Sequence, residues 1–158
     1  MCKLLQHKNV FNQEHLEKIY IDSTDIMNKL GSEDVGRSYK YKFKKATKIT
    51  IITDSNGIPI SIHITKASIH DAKLVESTVD KLQVKIITSK NYPKYLIADR
   101  GYISKTAKNN IKEVAELVYP LKQNMKSTET ADINERNKLL LQSRSINENT
   151  FSWLIFLE

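Results

Sequence analysis

The sequence is poor in cysteine, glycine and proline, with one, four and three of these residues in 158. The lone Cys2 cannot form an internal disulfide or a cysteine metal site, which fits a reducing compartment. No Pro-, Gly- or Ser-rich stretch divides the chain, so we expect one domain. No apolar run approaches the roughly twenty residues that span a bilayer, and no signal peptide is recognisable. We therefore expect a soluble protein inside the cell.

Acidic residues are outnumbered by basic ones. The 25 Lys and Arg against 18 Asp and Glu give a formal net charge of +7, and the pI is near 9.4. An excess of this kind favours a polyanionic partner, and nucleic acid is favoured over an anionic membrane because no membrane-binding helix pattern accompanies the charge. The alternative is a lysine-rich surface that serves solubility, in a composition shaped by an AT-rich genome.

Hydrophobic periodicity changes several times along the chain. Residues 18–22 predict a first strand, and residues 46–53 and 58–65 predict a hairpin whose turn contains Asn56-Gly57. Helical spacing follows over about 69–84 and 103–114, strand patterns over 94–99 and 116–121, and one long or two short helices over about 134–157. This order predicts an α/β fold, specifically a ribonuclease-H-like mixed sheet with flanking helices.

Three acids in this pattern suggest a metal site. Asp22 in YIDST and Asp99 in LIADRGY each end an apolar run, and a right-handed crossover would make their strands neighbours. Glu148 in RSINENTFSWL lies on an amphipathic segment able to cover the sheet. Carboxylates converging from rigid elements are what a two-metal phosphoryl-transfer site needs, and Mg²⁺ prefers such oxygen ligands.

Each of these acids also has a structural explanation. Asp22 and Asp99 could be turn residues that follow a strand, and a glutamate on a helix is by default solvated. His70-Asp71 could be a metal or general-base pair, although the start of a helix favours a cap there.

Five short sequence motifs connect these residues to a known family. They are IDST at 21–24, TDSNGIPISIHITKASIHD at 53–71, LIADRGY at 96–102, YPLKQN at 119–124 and R-x-x-x-E-x-x-F-S-W-L at 144–154. In this order the chain resembles the catalytic domain of DDE transposases, in the group related to insertion sequences four and five. The resemblance implies that Asp22, Asp99 and Glu148 bind the catalytic metal, Mg²⁺ or alternatively Mn²⁺.

The resemblance also implies an activity and partners. The activity is metal-dependent DNA strand cleavage and strand transfer at transposon ends. The partners are double-stranded DNA with terminal inverted repeats and, as an open option, a second copy in a homodimer, with no membrane. The place of action is the cytoplasmic nucleoid, or the nucleus for a eukaryotic host or virus. Residues 1–17 would be a short leader or partial helix, and 18–158 the catalytic domain.

Basic residues complete the predicted site. Arg144 lies one helical turn before Glu148, where a guanidinium could contact a phosphate or orient the carboxylate. The cations of the connection before the hairpin could follow the DNA backbone or merely solvate a loop. The predicted DNA-contacting residues are Arg37, Lys40, Lys42, Lys44, Lys45, Lys122 and Arg144.

The chain departs from the family pattern at two phosphate-contacting positions, where Leu141 replaces a tyrosine and Ile155 a lysine. Only 21 residues precede Asp22, and the chain stops at Glu158, before the basic tail that the family usually carries. These features predict a truncated or decayed transposase. Two other functions stay open: an inactive DNA-binding remnant, and a ribonuclease-H-like nuclease that does not require transposon ends.

Overall fold

The computed structural model describes residues 13–31, 33–82, 94–102, 104–120, 138, 141 and 146–155. Within these residues lie six strands, three α-helices and short 3₁₀ turns at Gln13–Leu16, Asp71–Lys73 and Arg100–Tyr102. The strands and helices are β1 Lys18–Met27, β2 Gly36–Ser38, β3 Lys44–Thr53, β4 Pro59–Lys66, α1 Leu74–Val79, β5 Tyr95–Ile97, α2 Lys105–Asn110, β6 Glu116–Val118 and α3 Ile146–Ile155. Across the described ranges, each helix is too short or too polar to cross a membrane.

The strands form one mixed sheet. β3 pairs antiparallel with β1 on one side, and on the other side with β2 at its start and β4 along the rest. β1 pairs parallel with β5, and β5 parallel with β6. The strand order is therefore β2-β3-β1-β5-β6, with β4 also paired to β3. Antiparallel strands lie on one side of β1 and parallel strands on the other. This arrangement confirms the predicted α/β, ribonuclease-H-like mixed sheet.

β1 is longer than the sequence predicted. The expected strand ended at Asp22, but β1 continues to Met27 because Ser23–Met27 pair with the first half of β3, from Thr50 back to Ala46. β5 has only three residues and pairs with the start of β1. Asp22 therefore lies inside a strand, just beyond the point where the parallel neighbour of that strand ends.

The predicted hairpin is present, with β3 and β4 joined by a tight turn. The Asp54 carboxylate accepts hydrogen bonds from the backbone N–H groups of Asn56 and Ile58, both at 2.9 Å. Gly57 has a φ of 79°, a left-handed conformation that glycine adopts without steric cost. The Asn-Gly signal thus predicted the position of the turn, and of its two residues only Gly57 has a positive φ.

The helices after β4 and β5 are shorter than predicted. The segment expected to be helical from 69 to 84 has a 3₁₀ turn followed by the six-residue α1, and the His70 side chain caps the turn by accepting from Ala72 N. The second predicted helix, 103–114, is regular only over Lys105–Asn110, where Ser104 provides the cap. In both places the apolar spacing predicted the element but not its length.

The core has two layers, one on each face of the sheet. Ile19 and Leu96 belong to the larger layer, together with Val75 of α1 and Ile111, the residue that directly follows α2. The smaller layer on the opposite face consists of Tyr20, Ile97 and Val118, with Leu141 and Ile146 packed against it. Because alternate residues of a strand point to opposite faces, the positions two residues beyond Tyr20 and Ile97 belong to the α3 side of the sheet.

Candidate active site

The pairing of β1 with β5 brings Asp22 and Asp99 to equivalent positions. Lys18 pairs with Tyr95, and each later pair keeps the same offset up to Tyr20 and Ile97. Asp22 and Asp99 each follow the last of these pairs by two residues, and Asp99 lies beyond the end of β5 at Ile97. Neighbouring strands lie about 4.8 Å apart, so both aspartates follow a point where the two backbones are adjacent.

Both aspartates are held by the residue that follows them. Asp22 Oδ1 accepts from the backbone N–H of Ser23 at 2.8 Å, and Asp99 Oδ1 accepts from that of Arg100 at 2.6 Å. Asp22 is partly buried, whereas Asp99 is exposed. The two side chains therefore have fixed local partners at the edge of solvent, where a ligand can reach them.

The phenol of Tyr102 is buried near several carboxylates at this end of the sheet. Tyr102 is 1% exposed, and burial raises its pKa far above the usual value, while its hydrogen bond to Ser23 acts in the opposite direction. The carboxylates of Asp22, Asp71 and Asp99 raise this pKa further. The carboxylates of Asp22, Asp71 and Asp99 therefore all lie near enough to this phenol to act on its pKa.

Asp71 is compensated by a cation, unlike a typical metal ligand. Lys48 Nζ lies 2.5 Å from Asp71 Oδ1 and also donates to the Ile69 carbonyl at 2.8 Å. The side chain of Lys48 is only 10% exposed. Sequence reasoning missed this pair. The alternation of β3 places Lys48 on the buried face with Ala46 and Thr50, and a lysine on such a face signals a buried partner.

α3 docks on the sheet through residues that flank Glu148. Asn147 is 1% exposed, and its Oδ1 accepts from Thr53 Oγ1 at 2.6 Å. Thr150 Oγ1 donates to the Gly57 carbonyl at 2.8 Å. Glu148 itself is exposed, in the first turn of this helix. The helix is therefore positioned by Asn147, which the sequence analysis did not propose as a site residue.

The donor set fits a hard divalent cation. Asp22 and Asp99 offer carboxylate oxygens, the ligand type that Mg²⁺ and Mn²⁺ prefer, and Glu148 lies on the helix over the same face. Among the described residues, however, no three His, Cys, Asp or Glu side chains are grouped closely enough to hold a metal ion. The two aspartates each follow the last β1–β5 pair by two residues, and in the described part of the chain Glu148 does not form a cluster with them.

The predicted DNA-contacting residues fall into two sets. Five of them lie on the β2–β3 hairpin and are all exposed: Arg37, Lys40, Lys42, Lys44 and Lys45. From Ile51, which pairs with Asp22, to Lys44 the strand spans about 24 Å at roughly 3.4 Å per residue. Lys122 and Arg144 lie outside the described residues.

Several solved structures resemble this chain. A piggyBac transposase synaptic complex with hairpin DNA has a TM-score of 0.48 and 14% identity, over 74% of this chain and 25% of that chain. The Mos1 strand transfer complex has a TM-score of 0.44 and 11% identity, over 73% and 38%. The Mos1 transposase paired-end complex with left transposon end has a TM-score of 0.45 and 11% identity, over 94% and 60%. The chain therefore spans between 25% and 60% of the length of these three proteins.

A search of curated proteins found no significant match. A family profile described as "Transposase DDE domain" matches residues 14–155, which is nearly the whole chain and includes Asp22, Asp99 and Glu148. The chain belongs to the family of transposase DDE domains.

Proposed function

We propose that this chain cleaves DNA strands and transfers them at the ends of a mobile element. The observation that carries the proposal is the parallel pairing of β1 with β5 up to Tyr20 and Ile97, because Asp22 and Asp99 each follow that last pair by two residues. Two carboxylates fixed on adjacent strands of a rigid sheet are the arrangement that metal-assisted phosphoryl transfer requires. The family to which the chain belongs supports the same chemistry.

Asp22, Asp99 and Glu148 are the proposed ligands. When bound, two Mg²⁺ or Mn²⁺ ions would supply an activated attacking oxygen and neutralise the charge that develops on the phosphate and the leaving oxygen. Asp22 and Asp99 contribute oxygen donors whose orientation is set by the N–H groups of Ser23 and Arg100. Glu148 would add the third carboxylate from α3, whose flanking residues anchor the helix on that side of the sheet.

The proposed substrate is double-stranded DNA with terminal inverted repeats. The exposed cations of the β2–β3 hairpin would contact phosphates, and their spacing from Asp22 corresponds to about seven base pairs at a rise of roughly 3.4 Å. Lys122 and Arg144 belong to the same proposed contact set. We further propose that the catalytic domain comprises residues 18–158, that it belongs to the group of insertion sequences four and five, and that it acts as a homodimer in the nucleoid or nucleus.

Plasmid cleavage tests the proposal. The purified chain is incubated with supercoiled plasmid that carries either the inverted repeats flanking its gene or scrambled repeats, with Mg²⁺, Mn²⁺ or chelator. We expect metal-dependent nicking near the intact repeats, and its loss in Asp22→Asn, Asp99→Asn and Glu148→Gln. Glu113→Gln, which changes an exposed acid on the opposite side of the fold, serves as the control.

Different results would select the other functions. Nicking that ignores the repeats would indicate a general ribonuclease-H-like nuclease. DNA binding without nicking in either metal would indicate a non-catalytic remnant. Equal nicking by wild type and Asp99→Asn would remove Asp99 from the site.

A further inference from the structure

The tip of the β2–β3 hairpin presents two aromatic rings to solvent. Tyr39 is 84% exposed and Phe43 is 59% exposed. Their ring centroids are 5.4 Å apart, with the ring planes at 82° to each other. Large apolar rings are usually buried, and two exposed rings in edge-to-face contact at a loop tip leave a ring face open to a flat apolar partner.

The backbone at this tip turns through two left-handed residues, neither of which is glycine. Lys42 and Phe43 have φ values of 51° and 62°, and such left-handed conformations are uncommon for residues other than Gly, Asn and Asp. A glycine at position 43 would make the same turn without steric cost. Strain held at a ring-bearing residue indicates that the ring itself is used.

The tip is fixed to the rest of the sheet. Ser38 Oγ donates to Asp25 Oδ2 at 2.5 Å, and the Tyr41 hydroxyl donates to the Asp25 carbonyl at 3.1 Å. Within the turn, Phe43 N donates to the Ser38 carbonyl at 2.7 Å. Tyr41 is thus the ring that anchors the hairpin to β1, while Tyr39 and Phe43 are presented outward on a rigid support.

The surroundings of the two rings decide which flat partner fits. Five exposed cations share the hairpin with them: Arg37, Lys40, Lys42, Lys44 and Lys45. Aromatic faces among backbone-binding cations are the combination that binds unpaired nucleotides, since the base stacks on the ring and the phosphates contact the cations. In a perfectly paired duplex the flat faces of the bases are hidden in the stack, so a duplex would use only the cations.

We propose that Tyr39 and Phe43 form a stacking site for an unpaired base in the DNA on which this chain acts. The inference rests on the proposed function, because it names the form of DNA that the same basic hairpin receives. Lys44, which directly follows Phe43, lies about 24 Å along β3 from the position paired with Asp22, or roughly seven nucleotides of duplex rise.

Fluorescent DNA binding tests the proposal. Wild-type protein in chelator is titrated into two labelled duplexes that differ only in one bulged 2-aminopurine, whose emission falls when it stacks. We expect tighter binding to the bulged duplex and quenching of the probe. Tyr39→Ala and Phe43→Ala should each weaken binding to the bulged duplex about tenfold, within the range known for stacked bases, and leave binding to the paired duplex unchanged.

Matched variants separate the effect of base stacking from effects on folding and from nonspecific hydrophobic contact. Phe43→Trp should retain the bulge preference, whereas Phe43→Leu, which is apolar without a π face, should lose it. Phe43→Gly should raise the melting temperature by relieving the left-handed strain and still lose the preference. Ile64→Ala alters another apolar residue, which is 51% exposed. This variant should leave binding to both duplexes unchanged.

The outcomes distinguish this inference from the function on which it rests. Equal binding of both duplexes by wild type, or unchanged bulge binding in the alanine variants, would overturn the stacking site while paired-duplex binding kept the DNA function intact. Wild-type protein that binds neither duplex would overturn both. Wild-type binding to anionic phospholipid vesicles in preference to bulged DNA would reassign the tip to a membrane surface.

Discussion

The hydroxyl groups of Ser23 and Tyr102 lie 2.5 Å apart and share a hydrogen bond. Ser23 follows Asp22 directly, and Tyr102 donates its backbone N–H to the Asp99 carbonyl at 3.1 Å. Ser23 Oγ is also 2.8 Å from Thr50 Oγ1 on β3. A chain of three hydroxyls on the α1 and α2 side of the sheet therefore ties together the segments that present Asp22 and Asp99 on the other side.

Removing the Tyr102 hydroxyl should loosen the alignment of the two aspartates. Tyr102→Phe keeps the ring in the core but deletes the link to Ser23, and we expect a stability loss of about 1 kcal/mol. Nicking should then require a higher Mn²⁺ concentration and recover when metal is raised. The control is Tyr119→Phe, a partly buried tyrosine against the same core layer. A loss of nicking with an unaltered metal requirement would contradict a positioning role.

Neutralising one carboxylate should separate catalysis from stability. If Asp22 and Asp99 share a metal site as proposed, their carboxylates repel each other without a cation, so Asp99→Asn should leave the melting temperature in chelator unchanged or slightly raised. Nicking in Mg²⁺ should be abolished, because a ligand is lost. Thermal melting beside plasmid nicking measures both. A large drop in melting temperature would show that the carboxylate is a structural acceptor, through its bond from Arg100 N.

Salt dependence tests the cations of the hairpin. If Arg37, Lys40, Lys42, Lys44 and Lys45 contact phosphates, affinity for paired duplex should fall steeply with salt. Replacing Lys42 and Lys45 together by glutamine should flatten the slope of log affinity against log salt by about one to two units. The matched control is a pair of exposed lysines on α2, Lys105 and Lys108. An unchanged slope in the hairpin variant would make these lysines ordinary solvated residues.

Breaking the ion pair of Lys48 and Asp71 should lower the stability of the fold mainly because it leaves a charged ammonium in a buried position. The attraction within the pair itself contributes less. Asp71→Asn leaves the Lys48 ammonium, 10% exposed, with the Ile69 carbonyl. Because Asp71 is 33% exposed, we expect a loss of about 1–3 kcal/mol, below that of a fully buried pair. The double variant Lys48→Met/Asp71→Leu should recover part of this lost stability, as measured by urea unfolding. Additive losses would show that the two side chains are energetically independent.

Local patterns in the sequence predicted those features that depend on local chemistry. Asn56-Gly57 predicted the hairpin turn, and the β-branched run before it predicted β3. The extension of β1 was missed because Ser23-Thr24-Asp25 is typical of a turn, and only pairing with Ala46–Thr50 makes it a strand. The buried Asn147 was missed for a similar reason, since its partner Thr53 is 94 residues away in the chain.

Gly57 joins the hairpin turn to the helix that carries Glu148, so it should be sensitive for two reasons. Its φ is 79°, and a Cβ there would lie 3.1 Å from both Ile146 Cγ2 and Thr150 Oγ1. Gly57→Ala should therefore destabilise the fold by about 1–3 kcal/mol. Displacement of α3 should also weaken nicking more than the global stability loss explains.

Gly57→Asn separates backbone strain from collision with α3. Asparagine tolerates positive φ better than alanine, but it brings the same Cβ and a larger side chain against Ile146 and Thr150. If the collision dominates, Gly57→Asn should lose at least as much melting temperature and nicking as Gly57→Ala. A clear recovery in the asparagine variant would assign the effect to the turn alone and leave the docking of α3 independent of Gly57.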